Sequence, residues 1–469
     1  MSFLICIGAL CFLMFVAYRG FSVILFAPIA ALGAVLLTAP EQVMPVYSDL
    51  FMDKAVIFVK LYFPVFLLGA LFGKVIELSG FARSITTAVI RMVGRERAVL
   101  SIVLVGCILT YGGVSLFVVV FAVYPFAAEM FRQGNLPKRL IPGTIALGAF
   151  TLTMDSLPGT PQIQNVIPTN FFGTDIYAAP VLGICGGIYI LALGILYLNW
   201  RIRQAEAANE GYGDGHINEP ETSPNEAMVN PLVAVLPLVV VGIANWVFTK
   251  MVFPALYITD PKVPTMNITL EGLAKPIAVT VKSMIGIWSV EVALVLGILT
   301  VVAFAYKAVV SRFAEGSKNA IAGSLLATIN TASEYGFGAV IAALPGFLMV
   351  RDALKSIPNP LVNEAITVTT LAGITGSASG GMSIALAAMA QQFKETAAAA
   401  GINMEVLHRV ASMASGGMDT LPHNGAVITL LMVTGLTHKT SYKDIFAITV
   451  IKTSAVFVVI ALYYLTGLV

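Results

Sequence analysis

Long apolar runs separated by short polar joints fill this chain, and their lengths predict its elements. A helix that crosses a bilayer needs about 20 largely apolar residues. In the first half, Ser2–Ala17, Phe21–Leu37, Ala55–Ile76, Leu140–Phe172 and Ala178–Trp200 read as crossings. In the second half, Met228–Phe248, Ile285–Tyr306, Ala320–Val350, Glu405–Thr434 and Asp444–Leu468 do the same. Two further runs, Ala98–Phe131 and Leu361–Gln392, are interrupted near their middles by glycine-rich stretches.

Loop charge sets the orientation, because lysine and arginine are retained on the cytoplasmic side. Arg19 follows the first run, the loop Thr38–Asp53 has no basic residue, and Arg83, Arg91, Arg95 and Arg97 follow the third run. "RQGNLPKR" after Phe131 is basic again, so a full crossing by Ala98–Phe131 would leave one basic flank outside. A re-entrant hairpin entering and leaving on the cytoplasmic face removes that conflict. The second interrupted run, flanked by "RDALKSIPNP" and "KETAAAAGIN", reads as a hairpin opened from outside. Both termini then lie outside, and the acid-, Gly- and Pro-rich stretch 204–226 reads as a flexible cytoplasmic connector.

The expected organisation is a first repeat over 1–203, with hairpin 98–131 and broken helix 140–172, and a polar linker over 204–227. A second repeat over 228–469 follows, with hairpin 361–392 and broken helix 405–434. An odd number of crossings per half puts the halves in opposite orientation, the inverted-repeat plan of secondary transporters. The expected fold class is an all-α polytopic membrane protein of two inverted-topology repeats. Each repeat has five crossings and one re-entrant hairpin, and there are two discontinuous helices.

Composition agrees. Of 469 residues, 58% are hydrophobic and 11% charged, and the mean hydropathy is +0.89. Soluble domains carry about a quarter charged residues, so this chain cannot cover a water-facing surface. A net charge of +2 argues against a nucleic-acid partner. The opening "MSFLICIGALCFLMFVAYRG" has no basic n-region and no small-residue cleavage site, and reads as a retained first helix. Cys6, Cys11, Cys107 and Cys185 lie in apolar runs without metal-ligand spacing and read as packing residues.

The two halves share landmarks. "TMDSLPGT" (Thr153–Thr160) aligns with "GMDTLPHN" (Gly417–Asn424), "YGGVS" (Tyr111–Ser115) with "SGGMS" (Ser379–Ser383), and "GKVIELSGFA" (Gly73–Ala82) with "NTASEYGFGA" (Asn330–Ala339). Proline removes a backbone donor and clashes with the preceding turn. Non-helical backbone at membrane depth persists only where protein or a water-filled cavity satisfies it. The Asp-Ser/Thr-Leu-Pro segments therefore read as the breaks of two discontinuous helices, forming one central site with the hairpin tips.

Half-helix N-termini suit a carboxylate. Hydroxyls, amides and backbone supply the rest: Thr110, Tyr111, Gly112, Gly113, Ser115, Ser156, Gly159, Thr160 and Gln162 in the first half; Ser377, Ser379, Gly380, Gly381, Ser383, Thr420 and Asn424 in the second. Gly112–Gly113 and Gly380–Gly381 would let hairpin tips turn and approach a ligand, or pack helices closely. Arginines read as loop or helix-end residues, which favours a small hydroxylated monoanion over a tricarboxylate.

Intramembrane acids are functional candidates. Asp155 and Asp419 read as coupling-ion or substrate groups, or as caps on half-helix N-termini. Glu334 has no charged neighbour in sequence and reads as a proton carrier, whereas Glu77 pairs locally with Lys74. His423 reads as a proton-coupling group or a plain hydrogen-bonding one. No nucleophile–base pair stands out, and His216, His408, His423 and His438 include no metal-spaced pair, so neither an enzyme, a metal site nor a cofactor is expected. A channel would not need paired inverted breaks.

On "LLGALFGKVIELSGFA", "LTYGGVSLFVVVFAVYP", "SEYGFGAVI" and "MDTLPHNGAVITLL", the chain resembles the gluconate permease family of the ion transporter superfamily over nearly its whole length, the linker excepted. The resemblance implies a proton-linked importer of sugar acids or short hydroxy acids in a bacterial inner membrane. It also implies a homodimer whose transport domain moves like an elevator against a scaffold. The first break, "MDSLPGTPQIQNVIPTNFFGT", is more similar to the hydroxybutyrate and short-chain organic-acid branch, which implies 3-hydroxybutyrate before gluconate. Gluconate or another sugar acid, and Na+ as coupling ion, stay open as alternatives.

Overall fold

The computed structural model describes residues 2–19, 21–94, 97–114, 116–219, 229–258, 265–272, 275–347, 349, 357–422 and 424–469. The chain is nearly all-helical. Among the described residues, five helices are long and apolar enough to cross a membrane: Pro40–Leu78, Pro180–Ala207, Pro231–Tyr257, Met284–Ala343 and His438–Thr466. In chain order we label α1 Ser2–Tyr18, α2 Val23–Thr38, α3 Pro40–Leu78, α4 Phe81–Val93, α5 Ala98–Tyr111, α6 Leu116–Gln133, α7 Ile141–Ala149, α8 Leu152–Asp155, α9 Ile163–Phe172 and α10 Pro180–Ala207. The rest are α11 Pro231–Tyr257, α12 Val281–Ala343, α13 Pro360–Thr375, α14 Ala378–Ala399, α15 Met404–Ser415, α16 Gly425–Thr434 and α17 His438–Thr466.

Local chemistry sets several boundaries. Asn230 and Asn359 cap α11 and α13 by accepting from Leu232 N and Val362 N, each before a proline whose missing N–H costs nothing at a helix start. Between α3 and α4 the corner residue Gly80 takes φ +75°, a left-handed turn open to glycine. Lys74 and Glu77 form the expected ion pair at 2.7 Å.

Two expectations, the loop 38–53 and the free connector, need correction. The loop 38–53 is helical from Pro40 onward, because a π-helical stretch Val46–Phe51 feeds directly into the crossing. The stretch labelled α12 is two helices joined at a kink, where Ala305 leaves helical backbone at φ −131° and ψ 32°, next to the expected end of Ile285–Tyr306. A small antiparallel ribbon, Thr265–Ile268 with Ile277–Thr280, accompanies the helices without changing the class. The connector is not free along its first part. Helix α10 continues to Ala207, and Tyr212 is buried; Lys138 Nζ meets Glu219 Oε1 at 2.7 Å, and Arg139 forks onto Glu210 at 2.6 and 2.7 Å.

Contacts sort the joints into two ends. At one, Lys250 pairs with Asp175, Ala179 N donates to Glu405 Oε2, and Tyr464 donates to Asn359. At the other, Arg312 donates to the Leu78 carbonyl, and the 208–219 strap reaches Met432 through Asn218.

Candidate functional site

Both predicted discontinuous helices are present. The first is α7, a kink at Phe150–Thr151, the short α8, an unwound stretch through Pro158, Gly159 and Pro161, then α9. The second is α15, an unwound stretch from Gly416, then α16. Both hairpins are present as well, α5–α6 and α13–α14. In the second the turn falls at Gly376–Ser377, so "SGGMS" is not the tip but the first turns of α14. Gly381 lies inside that helix, and a Cβ there would collide with the Ala372 backbone; it serves close packing of the two arms.

Each break is latched to the tip of its own half's hairpin. Gln162 Nε2 donates to Thr110 O at 2.7 Å and Val114 O at 3.2 Å, and Tyr111 donates its hydroxyl to Pro158 O at 2.8 Å. Gly113 takes φ +96° with Pro161 against it. In the second half, Asn424 Nδ2 donates to Gly376 O at 2.7 Å while its Oδ1 caps α16 through Ala426 N and Val427 N. The first residue of α9 has no such cap: Gln162 accepts nothing through its side chain there.

The breaks also meet each other. Ser412 Oγ and Arg409 Nη1 both donate to the Asp155 carbonyl, at 2.8 and 3.1 Å, and the Asp155 Oδ2 atom faces Gly416. Asp419 pairs with Lys452 at 2.5 Å, and Lys452 also donates to Phe150 O at 3.1 Å.

Many predicted hydroxyls already serve the backbone or each other. Thr160 donates to Thr153 O at 2.7 Å, Ser156 to Asp155 Oδ1 at 2.8 Å, Ser377 caps Gly380 N, Ser379 lies 3.4 Å from Thr331, and Thr420 meets Thr449 at 2.6 Å. Gly159 N donates to Ile176 O. Glu334 lies against Gly380, whose Cβ would strike its carboxylate, which places it beside the second hairpin. Among the described residues, Thr110 Oγ1, Asp155 Oδ2, Glu334 Oε2 and Ser383 Oγ are buried without a hydrogen-bond partner. Gly112 lies at the first tip against Leu238. Ser115 and His423 lie outside the described residues.

The reading of arginines as peripheral is overturned by Arg409, which is fully buried in α15. It donates from Nε and Nη2 to Ala178 O and from Nη1 to Asp155 O and Asn165 Oδ1. His408 beside it joins Thr174 and Asn165, and Asn165 Nδ2 donates to Thr160 O and Ile176 O. The signal was present as a His-Arg pair inside the second broken run and one lysine in the final crossing; charges at such depth are kept for a role.

A many-helix membrane fold with two broken helices meeting under paired hairpins defines a membrane transporter. Its fold is similar to that of the YdaH transporter of Alcanivorax borkumensis, at TM-score 0.52 and 15% identity, over 92% of this chain and 90% of that one. The chain is 57% identical to the uncharacterized transporter YxjC of Bacillus subtilis across 100% of both chains. It is 27% identical to an uncharacterized permease of Haemophilus influenzae over 28% of this chain and 26% of that one. Residues 63–278 match the GntP family permeases. The chain belongs to the GntP permease family, and is a transporter rather than an enzyme.

Proposed function

We propose that the chain is a secondary active transporter of the bacterial cytoplasmic membrane. It couples proton entry to uptake of a small hydroxylated monocarboxylate, 3-hydroxybutyrate first, by elevator-type alternating access of a homodimer built on two inverted repeats. The observation that carries the reading is the meeting of the two breaks at Asp155 and Gly416, each latched to its own hairpin tip. A latch of one to three hydrogen bonds can open without unfolding a helix, as a gate must.

The breaks divide the labour. The uncapped start of α9, with the Thr110 hydroxyl nearby through the Gln162 latch, suits a substrate carboxylate. The second break carries the groups whose charge varies, Asp419 and His423, with Asp155 and Glu334 as further ion-coupling candidates. Arg409 leaves the monoanion preference in place, since its donors are directed at protein oxygens.

The test is uptake by the purified protein in proteoliposomes, over a panel of hydroxy acids with proton and Na+ gradients imposed separately. Concentrative 3-hydroxybutyrate uptake that follows the proton gradient is expected. Preference for gluconate, or accumulation driven by Na+ alone, would install the corresponding alternative. Equilibration without accumulation would sink the symport reading.

A further inference from the structure

Glu364 has no part in the site above and no sequence signal singled it out. It sits in the first turns of α13, is fully buried, and neither carboxylate oxygen has a hydrogen-bond partner among the described residues. The arms of the second hairpin touch where Ala372 meets Gly381. Two antiparallel helices in contact there bring Glu364, roughly two turns down one arm, level with Ala388 and Met389 on the other. Gln392 follows about one turn further along that stripe. Its Oε1 and Nε2 atoms are also buried without partners. One carboxyl on one arm and one amide on the other, four polar atoms in all, are thus buried with their hydrogen bonds unmade. Burying such groups unpaired costs free energy, which only a function repays.

We infer that Glu364 is a proton-binding site within the second hairpin, and that the Gln392 amide is its partner when the proton leaves. This rests on the proton-coupled reading above. On release the Glu364 O–H bond breaks, the proton passes to water, and the carboxylate accepts from Gln392 Nε2–H. On uptake the reverse occurs. Other titratable groups on the packed elements are directed elsewhere. On α15, Glu405 accepts from Ala179 N, His408 joins Thr174 and Asn165, and Arg409 holds carbonyls. On α17, Tyr464 donates to Asn359, Lys452 pairs with Asp419, and Tyr463 meets Tyr464 edge to face. On α14, Glu395 bonds Gln391 and Lys394 lies beyond Gln392. Helix α1 has no Asp, Glu, Lys or Arg.

The experiment uses the full chain in proteoliposomes. Glu364→Gln keeps the shape and removes the proton; it should retain 3-hydroxybutyrate exchange between equal-pH compartments and lose accumulation driven by an inward proton gradient. Accumulation retained in Glu364→Gln overturns the inference while leaving proton symport intact. Loss of exchange and accumulation together in folded protein marks a structural role and overturns it too. Wild-type protein that ignores the proton gradient removes the proposed coupling and this site with it. A second measurement needs no variant: an apolar carbodiimide should modify Glu364 in the wild-type chain, and less so as pH rises. A Glu364 peptide that stays unmodified at every pH refutes the site.

Discussion

Replacing Lys452 with methionine exposes the balance of charge at the second break. Lys452 and Asp419 are 2% and 5% exposed, with Nζ and Oδ1 2.5 Å apart. Methionine fills similar space but leaves Asp419 a buried carboxylate without its cation. Breaking a buried pair from one side costs about 3–5 kcal/mol. The Phe150 carbonyl also loses the Lys452 donor, which adds about 1–3 kcal/mol. Each kcal/mol lowers the midpoint by about 2–4 °C in domains of 150–250 residues, so a fall on the order of 10 °C is expected. Adding Asp419→Asn removes the stranded charge, and only the carbonyl loss should remain. The assay is thermal unfolding in detergent, run as a double-mutant cycle. A double variant no more stable than Lys452→Met would refute the pair, because no stranded charge would then have been relieved.

Gly113→Leu should abolish uptake, since φ +96° strains any side chain at the first tip and its Cβ would press on Pro161 at 3.2 Å; wild-type uptake would remove that tip from the site. Acid should free the 208–219 strap. Arg139 holds the Glu210 carboxyl below its usual range, so that contribution is complete above about pH 4.3, the ordinary glutamate value, and is lost as pH falls through the depressed one. Hydrogen exchange over 208–219 should accelerate below that value, and exchange independent of pH, after correction for intrinsic rates, would show that the strap does not depend on this pair. His423→Asn should shift the pH profile of uptake between roughly pH 5 and 8, and an unchanged profile would take histidine out of coupling.

What the sequence made legible is the part governed by periodicity and by cost. Apolar run length located the long helices, and Asp-Ser/Thr-Leu-Pro inside such runs located both breaks, because proline cannot continue a helix wherever it packs. The turn of the second hairpin was misplaced because Gly380–Gly381 looks like a tip; whether two glycines turn or pack depends on the opposing arm, here Ala372. Arg409 escaped notice because its partners, Asn165 Oδ1 apart, are backbone carbonyls, whose positions no residue identity reveals. The strap was read as free for a related reason. Its acids looked solvated until the fold carried Lys138 and Arg139 beneath them.

The two breaks are alike in sequence and unequal in how they are held. Arg409 and Lys452 both belong to the second half of the chain, yet each donates to a carbonyl of the first discontinuous helix, at Asp155 and Phe150. Lys452 is shared, since its other partner is Asp419. Under the proposed coupling, a change of charge at Asp419 would act on the first break through one side chain, by altering how Lys452 is shared between Asp419 and the Phe150 carbonyl. Coupling between sites needs such an element, biased by both ligands. The double variant Lys452→Met/Asp419→Asn cuts that link while relieving the stranded charge, which separates function from stability. It should fold with most of its stability restored and still bind substrate more weakly, with a raised KM and a flattened response to the proton gradient. A restored midpoint together with wild-type KM and wild-type accumulation would show that the first break keeps its shape without Lys452. The link between the breaks would then have to run through Arg409 and Ser412 alone.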